Sequence, residues 1–181
     1  MSDVKNVRET QETRVPKVVV MGVSGCGKSL TGTLLASELG VPFYDADDYH
    51  SRANVEKMAA GIPLTDADRL GWLDDLAKLM RREEGGLVLA CSALKRAYRE
   101  RLRNGNPQAC FVYLKGDFET IWARHSRRTD HYFNGRAMLE SQFQLLEEPG
   151  ADEKAVVVDV SGTPEQVIGH CLARLGYDRH L

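Results

Sequence analysis

The sequence predicts an α/β protein: a five-stranded, parallel, doubly wound sheet with helices on both faces and a mobile lid. Three observations predict it. Five short β-branched apolar runs recur along the chain, and stretches with helical spacing alternate with them. The first run also leads straight into a glycine-rich loop that opens a helix.

The runs are Lys17 to Met21, Val41 to Tyr44, Leu87 to Cys91, Phe111 to Leu114 and Ala155 to Val160. All but the second are nearly continuous in apolar character, as expected of strands covered on both faces. After the first run, Lys28 to Leu39 places Leu30, Leu34, Leu35 and Leu39 at helical spacing. Asp66 to Glu84 sets Leu70, Leu73, Leu76, Ala77 and Met80 on one stripe, capped by Asp66 and stopped at Gly85-Gly86. The segment Arg124 to Arg136 is rich in Arg and His and poor in aliphatic residues, which marks a solvent-facing flap. Ser141 to Glu148 reads as a helix ended by Pro149, and Thr163-Pro164-Glu165 opens the last helix. Residues 1–14 read as a disordered leader, and 15–181 as one domain whose lid spans approximately 124–136.

Composition narrows the function classes. The 181 residues are 43% hydrophobic and 28% charged, an ordinary globular balance. Lys and Arg number 24 against 26 acids, so bulk charge offers nothing to nucleic acid or to a membrane surface. No 18-residue apolar run is present to span a membrane. The cytoplasm is the expected compartment, although Arg179-His180-Leu181 faintly resembles a peroxisomal address. Cys26, Cys91, Cys110 and Cys171 form no C-x-x-C pair and read as reduced thiols. Only Cys26, inside the glycine-rich loop, is a candidate for an exposed and reactive one.

That loop is Gly22-Val23-Ser24-Gly25-Cys26-Gly27-Lys28-Ser29, a full G-x-x-x-x-G-K-S after a VVVM strand. Average residue usage would produce it by chance in about one chain of this length in a hundred. Its glycines let successive N–H groups point inward at phosphate oxygens, and the helix start adds partial positive charge. Lys28 would reach the β- and γ-phosphates, and the Ser29 hydroxyl would hold Mg²⁺. The fold class is therefore that of the P-loop NTPases. Directly after the second strand, Asp45-Ala46-Asp47 would point two carboxylates to the same side. One could stand near Mg²⁺ while the other accepts a hydrogen bond from an attacking hydroxyl.

Val156-Val157-Val158-Asp159 has the pattern of a second metal carboxylate, but the last strand of such a sheet usually lies at its edge. Asp159 therefore reads as structural and Asp45 as the metal-side carboxylate. Ser92-Ala93-Leu94-Lys95-Arg96 follows the third strand, where a hydroxyl and two cations would bind an anion or merely decorate a helix. Arg69 is open in the same way between substrate contact and surface ion pair. Arg124, Arg127 and Arg128 suit a flap that spreads positive charge over a transferring phosphoryl group.

MGVSGCGKS (21–29), FYDADDYH (43–50), NVEKMAAGIPLTDADRLGWL (54–73), CSALKRAYRERLR (91–103), FVYLKGD (111–117) and SQFQLLEEPGADE (141–153) occur in that order. Taken together, the chain resembles the gluconokinases, kinases of small sugar acids with an adenylate-kinase-like fold. The resemblance covers most of residues 17 to 161. It implies transfer of the γ-phosphoryl group of ATP to the 6-hydroxyl of D-gluconate, with Mg²⁺ as the metal. Gly22, Val23, Ser24, Gly25, Cys26, Gly27, Lys28 and Ser29 would bind ATP, with Arg124 and Arg128 as lid arginines. Lys28, Asp47 and Arg128 would form the catalytic set, Asp47 orienting or deprotonating the hydroxyl. Ser29 and Asp45 would hold the metal. Asp47, His50, Lys57, Arg69, Ser92 and Lys95 would form the substrate wall, a cation among them meeting the gluconate carboxylate. A homodimer is implied as well.

The chain departs from the family at two places. Cys26 replaces a common Ser, so that thiol modification would block ATP binding. The lid, usually basic-Gly-His-Phe, reads Arg128-Thr129-Asp130-His131-Tyr132-Phe133, with one extra residue before Met138-Leu139. Two other readings compete. A shikimate- or nucleoside-type kinase would use the same fold, but a shikimate site would want a glycine triplet where Cys91-Ser92-Ala93 stands. A nucleotide-dependent switch would carry an N-K-x-D motif, and none occurs.

Overall fold

The computed structural model describes residues 15–128 and 135–177. The leader at 1–14, lid residues 129–134 and the terminal Arg-His-Leu lie outside the described residues. The chain runs β1 (Lys17–Met21), α1 (Lys28–Leu39), β2 (Phe43–Asp45), α2 (Arg52–Ala59), α3 (Asp66–Arg82), β3 (Leu87–Ala90) and α4 (Arg96–Arg103). It continues through β4 (Cys110–Lys115), α5 (Phe118–Arg128), α6 (Gly135–Leu145), β5 (Ala155–Asp159) and α7 (Pro164–Leu175). All four strand pairings are parallel, in the order β2-β3-β1-β4-β5. The expected sheet is thus present, with β1 at its centre. From β1 the chain fills one side with β2 and β3 and then the other with β4 and β5. The loop after β1 therefore sits where the strand order reverses, the crevice in which open α/β sheets bind ligands.

Strand alternation divides the core in two. Val18 and Val20 face a cluster with Leu35, Ile121, Leu139, Ile168 and Leu172. Val19 and Met21 face the opposite cluster, with Leu73, Leu76, Met80, Leu89, Leu102 and Phe111. The central strands are buried end to end, as their unbroken apolar runs require. β5 is partly exposed because it is an edge. Asp159 stands at the end of that edge and accepts a hydrogen bond from the Ser161 N–H at 2.7 Å.

Several local expectations change. The buried face of α1 is Thr31, Gly32, Leu35 and Ala36, whereas Leu30 and Leu34 are exposed. The reason is steric: a Cβ at Gly32 would lie 2.6 Å from the Phe43 ring, so α1 seats on the sheet through small residues. On α3 the cap is Thr65, not Asp66, because Thr65 and Asp68 form a reciprocal capping box; Leu70 is exposed. The helix expected over Ser141 to Glu148 begins at Gly135 and ends at Leu145. α2, α4 and most of α5 carry no apolar stripe broad enough to announce them. Among the described residues no helix is long and apolar enough to cross a membrane.

α4 holds the arginine on which the loop after β3 rests. Arg99 has no exposed surface. Its Nε and Nη2 meet the Glu153 carboxylate at 2.7 and 3.1 Å, and its Nη1 donates to the Ala93 carbonyl at 2.8 Å. The Gly150 N–H donates to the same carboxylate at 2.7 Å. The Arg99 guanidinium, ahead of the opposing cost of burial, holds the Glu153 pKa well below the usual glutamate range. Removing one partner of a buried pair leaves the other charge uncompensated. Glu153→Ala is therefore expected to lower unfolding free energy by about 3–5 kcal/mol in urea melts, while Asp152→Ala, at an exposed ion pair, changes little. Because the Glu153 pKa is depressed on folding, its contribution is full above the unfolded value near 4.5 and falls away as pH drops below it.

Candidate active site

The loop between β1 and α1 is shaped for an anion. Gly22 and Gly25 have φ of 148° and 80°, in the region that favours glycine. Side chains there would also collide: a Cβ on Gly22 would stand 2.7 Å from Cys26 Sγ, and one on Gly25 3.0 Å from His125 Nδ1. Gly27 caps α1 without any side-chain hydrogen bond, which leaves the first N–H groups of the helix available. Lys28 Nζ donates to the Val23 carbonyl at 2.9 Å, folded back over the loop. The Ser24 N–H is taken by a side chain from α6: it donates to Gln142 Oε1 at 2.6 Å.

Cys26 corrects an expectation. It is buried, and burial pushes its thiol pKa up, so it is neither exposed nor activated. The sequence placed it in a loop; the loop wraps its side chain inward against Gly22.

β2 ends on Asp45, and a 3-10 turn from Ala46 to Tyr49, where the sequence predicts an extended stretch, carries Asp47. Asp45 Oδ1 accepts from the Asp47 N–H at 3.0 Å and so caps the 3-10 turn Ala46–Tyr49. Asp45 Oδ2 is left facing the Ser29 hydroxyl at 3.4 Å. Asp47 reaches the cleft that opens between the loop and the far wall, a space of about 830 Å³. Desolvation within the cleft, and next the charge of Asp45, push the Asp47 pKa above the ordinary aspartate range.

His50 closes this side. Its ring stacks on Trp72 with centroids 4.1 Å apart and 15° between planes, and Trp72 Nε1 is anchored on the Ala46 carbonyl at 2.8 Å. The buried Asn54 bonds the Asp68 carbonyl at 2.8 Å through Nδ2, which also lies 3.4 Å from His50 Nδ1. An amide N–H facing Nδ1 makes that nitrogen the acceptor and leaves the ring proton on Nε2. Burial lowers the His50 pKa, against a raising influence from Asp47.

The far wall follows β3. Ser92 accepts the Gly22 N–H through its carbonyl at 3.2 Å, which ties this wall to the phosphate loop. Ala93 sits at φ 44°, a left-handed turn that aims the next residues across the cleft. Lys95 Nζ reaches both Asp66 oxygens at 3.1 Å, and the Tyr98 hydroxyl donates to Asp66. Arg69 Nη1 is held by neutral oxygens, the Leu64 carbonyl at 2.8 Å and the Tyr98 hydroxyl at 3.3 Å. Among the described residues no carboxylate lies within ion-pair distance of it.

The structure thus brings Ser24, Gly25, Gly27, Lys28, Ser29, Asp45, Asp47, His50, Arg69, Ser92 and Lys95 to one cleft. Lys57 does not line it; its Nζ is spent on Asp68 at 2.9 and 3.0 Å, bracing the cap of α3. Arg124 lines a second recess of about 310 Å³ behind the loop, with Arg127, Gly25 and Cys26, and donates to the Val160 carbonyl. The Arg128 side chain lies outside the described residues. Sequence reasoning missed Gln142, Trp72 and Tyr98 as wall residues, and Asn54 as the buried support behind His50. Each stood inside a quoted block, but no titratable pattern or spacing singled it out.

The family model described as shikimate kinase matches residues 24–176. The thermoresistant gluconokinase of Escherichia coli (strain K12) is 48% identical over 154 residues, covering 83% of this chain and 87% of that protein. The crystal structure of a gluconokinase from Sinorhizobium meliloti 1021 matches with a TM-score of 0.83 and 38% identity, over 90% of this chain and 93% of that one. The shikimate kinase of Aquifex aeolicus superposes with a TM-score of 0.56 at 19% identity over 88% of this chain and 96% of that one, a likeness of fold alone.

The electrostatics of the cleft are open to titration. The His50 ring protons are expected to titrate with a midpoint below the free imidazole value of 6.5 in an NMR pH series. Asp47→Asn should move that midpoint further down, since the Asp47 charge is what favours the imidazolium. A midpoint that rose instead would contradict the close electrostatic coupling of the two residues.

Proposed function

The chain belongs to the shikimate kinase family and, within it, to the gluconokinases, and from that premise we propose that it transfers the γ-phosphoryl group of ATP to the 6-hydroxyl of D-gluconate, giving 6-phospho-D-gluconate. One observation carries the reading beyond resemblance. A phosphate-binding loop and a wall bearing Arg69 and Lys95 face a common cleft, with the Asp47 carboxylate on its lining.

In this reading the loop N–H groups and Lys28 hold the β- and γ-phosphates and neutralise charge that spreads over the transferring group. Lys28 leaves the Val23 carbonyl for the phosphate oxygens, exchanging a neutral acceptor for an anionic one. Asp47 accepts the proton of the attacking hydroxyl; burial in the cleft raises its pKa and so makes it a stronger base than an ordinary aspartate. His50 donates from Nε2 to substrate oxygen, fixed in that tautomer by Asn54. Arg69 meets the carboxylate of the sugar acid, because Lys95 already has Asp66 as its acid partner. Arg124 and Arg127 suit the nucleotide side, in the recess behind the loop, and Arg128 keeps its place among the catalytic residues from the resemblance.

The pair of Ser29 hydroxyl and Asp45 carboxylate has the hard-oxygen chemistry that suits Mg²⁺, an ion that takes few protein ligands and keeps its others from water and phosphate. When bound there with ATP, the ion would supply charge neutralisation across the phosphates. The same reading carries a homodimer from the resemblance, and the cytoplasm as the compartment expected from the sequence. The family model favours shikimate as the second acceptor to try.

A coupled ADP-release assay with Mg-ATP across D-gluconate, L-idonate, shikimate, ribose and AMP tests the reading. Gluconate-dependent release is expected. Lys28→Ala and Asp47→Asn should each reduce turnover by about two to four orders of magnitude with circular dichroism unchanged. Release with shikimate and none with gluconate would transfer the reading to the second acceptor, and near-normal turnover of Asp47→Asn would remove its role as base.

A further inference from the structure

α6 is a wall of the cleft. Met138, Ser141, Gln142 and Leu145, spaced i, i+3, i+4 and i+7, all line it. Another side of the helix is anchored in the core through Leu139 and Phe143. Two polar side chains at the middle of this face are flanked by two apolar ones that stand 45% and 41% exposed.

Gln142 is the side chain of this face that touches the phosphate loop. A backbone N–H can only meet the oxygen of a carboxamide, so the 2.6 Å contact with Ser24 fixes which end of the amide points where. Oε1 is committed to the loop. The Nε2 group carries two donors, and among the described residues it has no protein partner. Both Ser24 and Gln142 line the cleft that holds Asp47, His50 and Arg69, and neither lines the recess of Arg124 and Arg127. The free donors are therefore on the acceptor side of the loop, opposite in character to the cationic wall: neutral, fixed in orientation, and suited to hydroxyl oxygen rather than to carboxylate.

We propose that Gln142 is an acceptor-binding residue that donates from Nε2 to a hydroxyl oxygen of the polyhydroxy acid beside the phosphate loop, with Ser24 holding its amide in register. This rests on the gluconate reading and assigns part of that acceptor's selectivity to α6. A hydrogen-bond donor placed to meet a hydroxyl loses binding when the donor is removed, and an acceptor lacking that hydroxyl leaves the donor unpaired.

Two variants separate the donor from the strut. Gln142→Met removes both hydrogen bonds at similar length. Gln142→Glu keeps an oxygen for the Ser24 N–H but abolishes the donor. Both are expected to raise the KM for gluconate about tenfold at saturating ATP, the size of one lost hydrogen bond. Calorimetric titration of gluconate into the protein holding a non-hydrolysable ATP analogue should weaken by a similar factor. ADP affinity of Gln142→Met, read by the same calorimetry, should stay within about twofold, because the donor faces the acceptor side. Wild-type gluconate affinity in Gln142→Glu would overturn the proposal and reduce Gln142 to a brace between α6 and the loop. Unchanged gluconate affinity in both variants would overturn it as well. Failure of the parent reading looks different: the wild-type protein itself would release no ADP with gluconate, and the assignment of Gln142 to that acceptor would go with it.

Discussion

A fully buried arginine organises the acceptor side of this molecule. Arg99 cannot be solvated, so its charge is carried by Glu153 and its remaining donor by the Ala93 carbonyl. Those contacts tie α4 and the turn just before it to a segment 54 residues further along the chain. Glu153 belongs to the connection between α6 and β5, Arg99 to α4, and Ala93 to the turn after β3. A second clamp runs parallel to the first, from the Glu147 N–H to the Leu94 carbonyl at 2.8 Å and from the Arg96 N–H to the Glu147 carboxylate at 3.2 Å. The end of α6 and the start of α4 are therefore held to one loop. That loop carries Ser92 and Lys95 into the cleft, and the helix it grips carries Gln142 there. Position on both walls is set by an ion pair that touches neither substrate.

The architecture was legible because the central strands obey a simple rule. Val18 to Met21 and Leu87 to Ala90 are buried on both faces, so their apolar runs are unbroken and their termini fall where polarity returns. Helices were legible only where burial is broad. α3 announced itself through Leu73, Leu76, Ala77 and Met80, and its cap was misplaced by one residue because Thr65 and Asp68 satisfy each other's backbone groups. α1 had correct ends and a face that was half right: Leu35 is buried and Leu39 packs on the core, but close approach to Phe43 brings Thr31, Gly32 and Ala36 inward and leaves Leu30 and Leu34 exposed. α4 was the hardest to see. In Arg-Ala-Tyr-Arg-Glu-Arg-Leu-Arg the buried positions are Tyr98, Arg99 and Leu102, and no scale of hydrophobicity marks an arginine as core.

The same distinction divides the site. Groups bound to a backbone geometry could be read directly, since the phosphate loop needs its glycines, its lysine and its hydroxyl in a fixed order. Asp45 stands by Ser29 because it ends β2 at the crevice, although a 3-10 turn begins at Ala46 where strand alternation predicted an extended stretch. Groups whose part depends on a distant partner could not be read. Lys57 had the charge for a substrate contact, but Asp68 is nearer. Cys26 had the loop position of a reactive thiol, but the turn that makes the loop work buries it. Gln142 has no charge, no pKa and no motif chemistry of its own, and acquires meaning only from the Ser24 N–H 118 residues away.

The arrangement also explains how one cleft can attract an acid without being disordered by its own charges. The cations facing each other around Tyr98 are treated differently: Lys95 is neutralised by Asp66, while Arg69 is oriented by a carbonyl and a hydroxyl that leave its charge intact. On the proposed reading an incoming carboxylate would meet a preorganised guanidinium rather than having to break an ion pair to obtain one, which would lower the cost of binding. Lys28 and the glycines of the loop border the same cleft as Asp45 and Asp47, which on the proposed reading would serve phosphate, metal and hydroxyl. The like charge of those two acids is tolerable because they are not equivalent. Asp45 accepts the Asp47 backbone N–H on one oxygen and turns the other to Ser29, whereas among the described residues Asp47 has no such donor and burial raises its pKa. Two neighbouring carboxylates set apart in this way can divide the work of holding charge and of taking a proton.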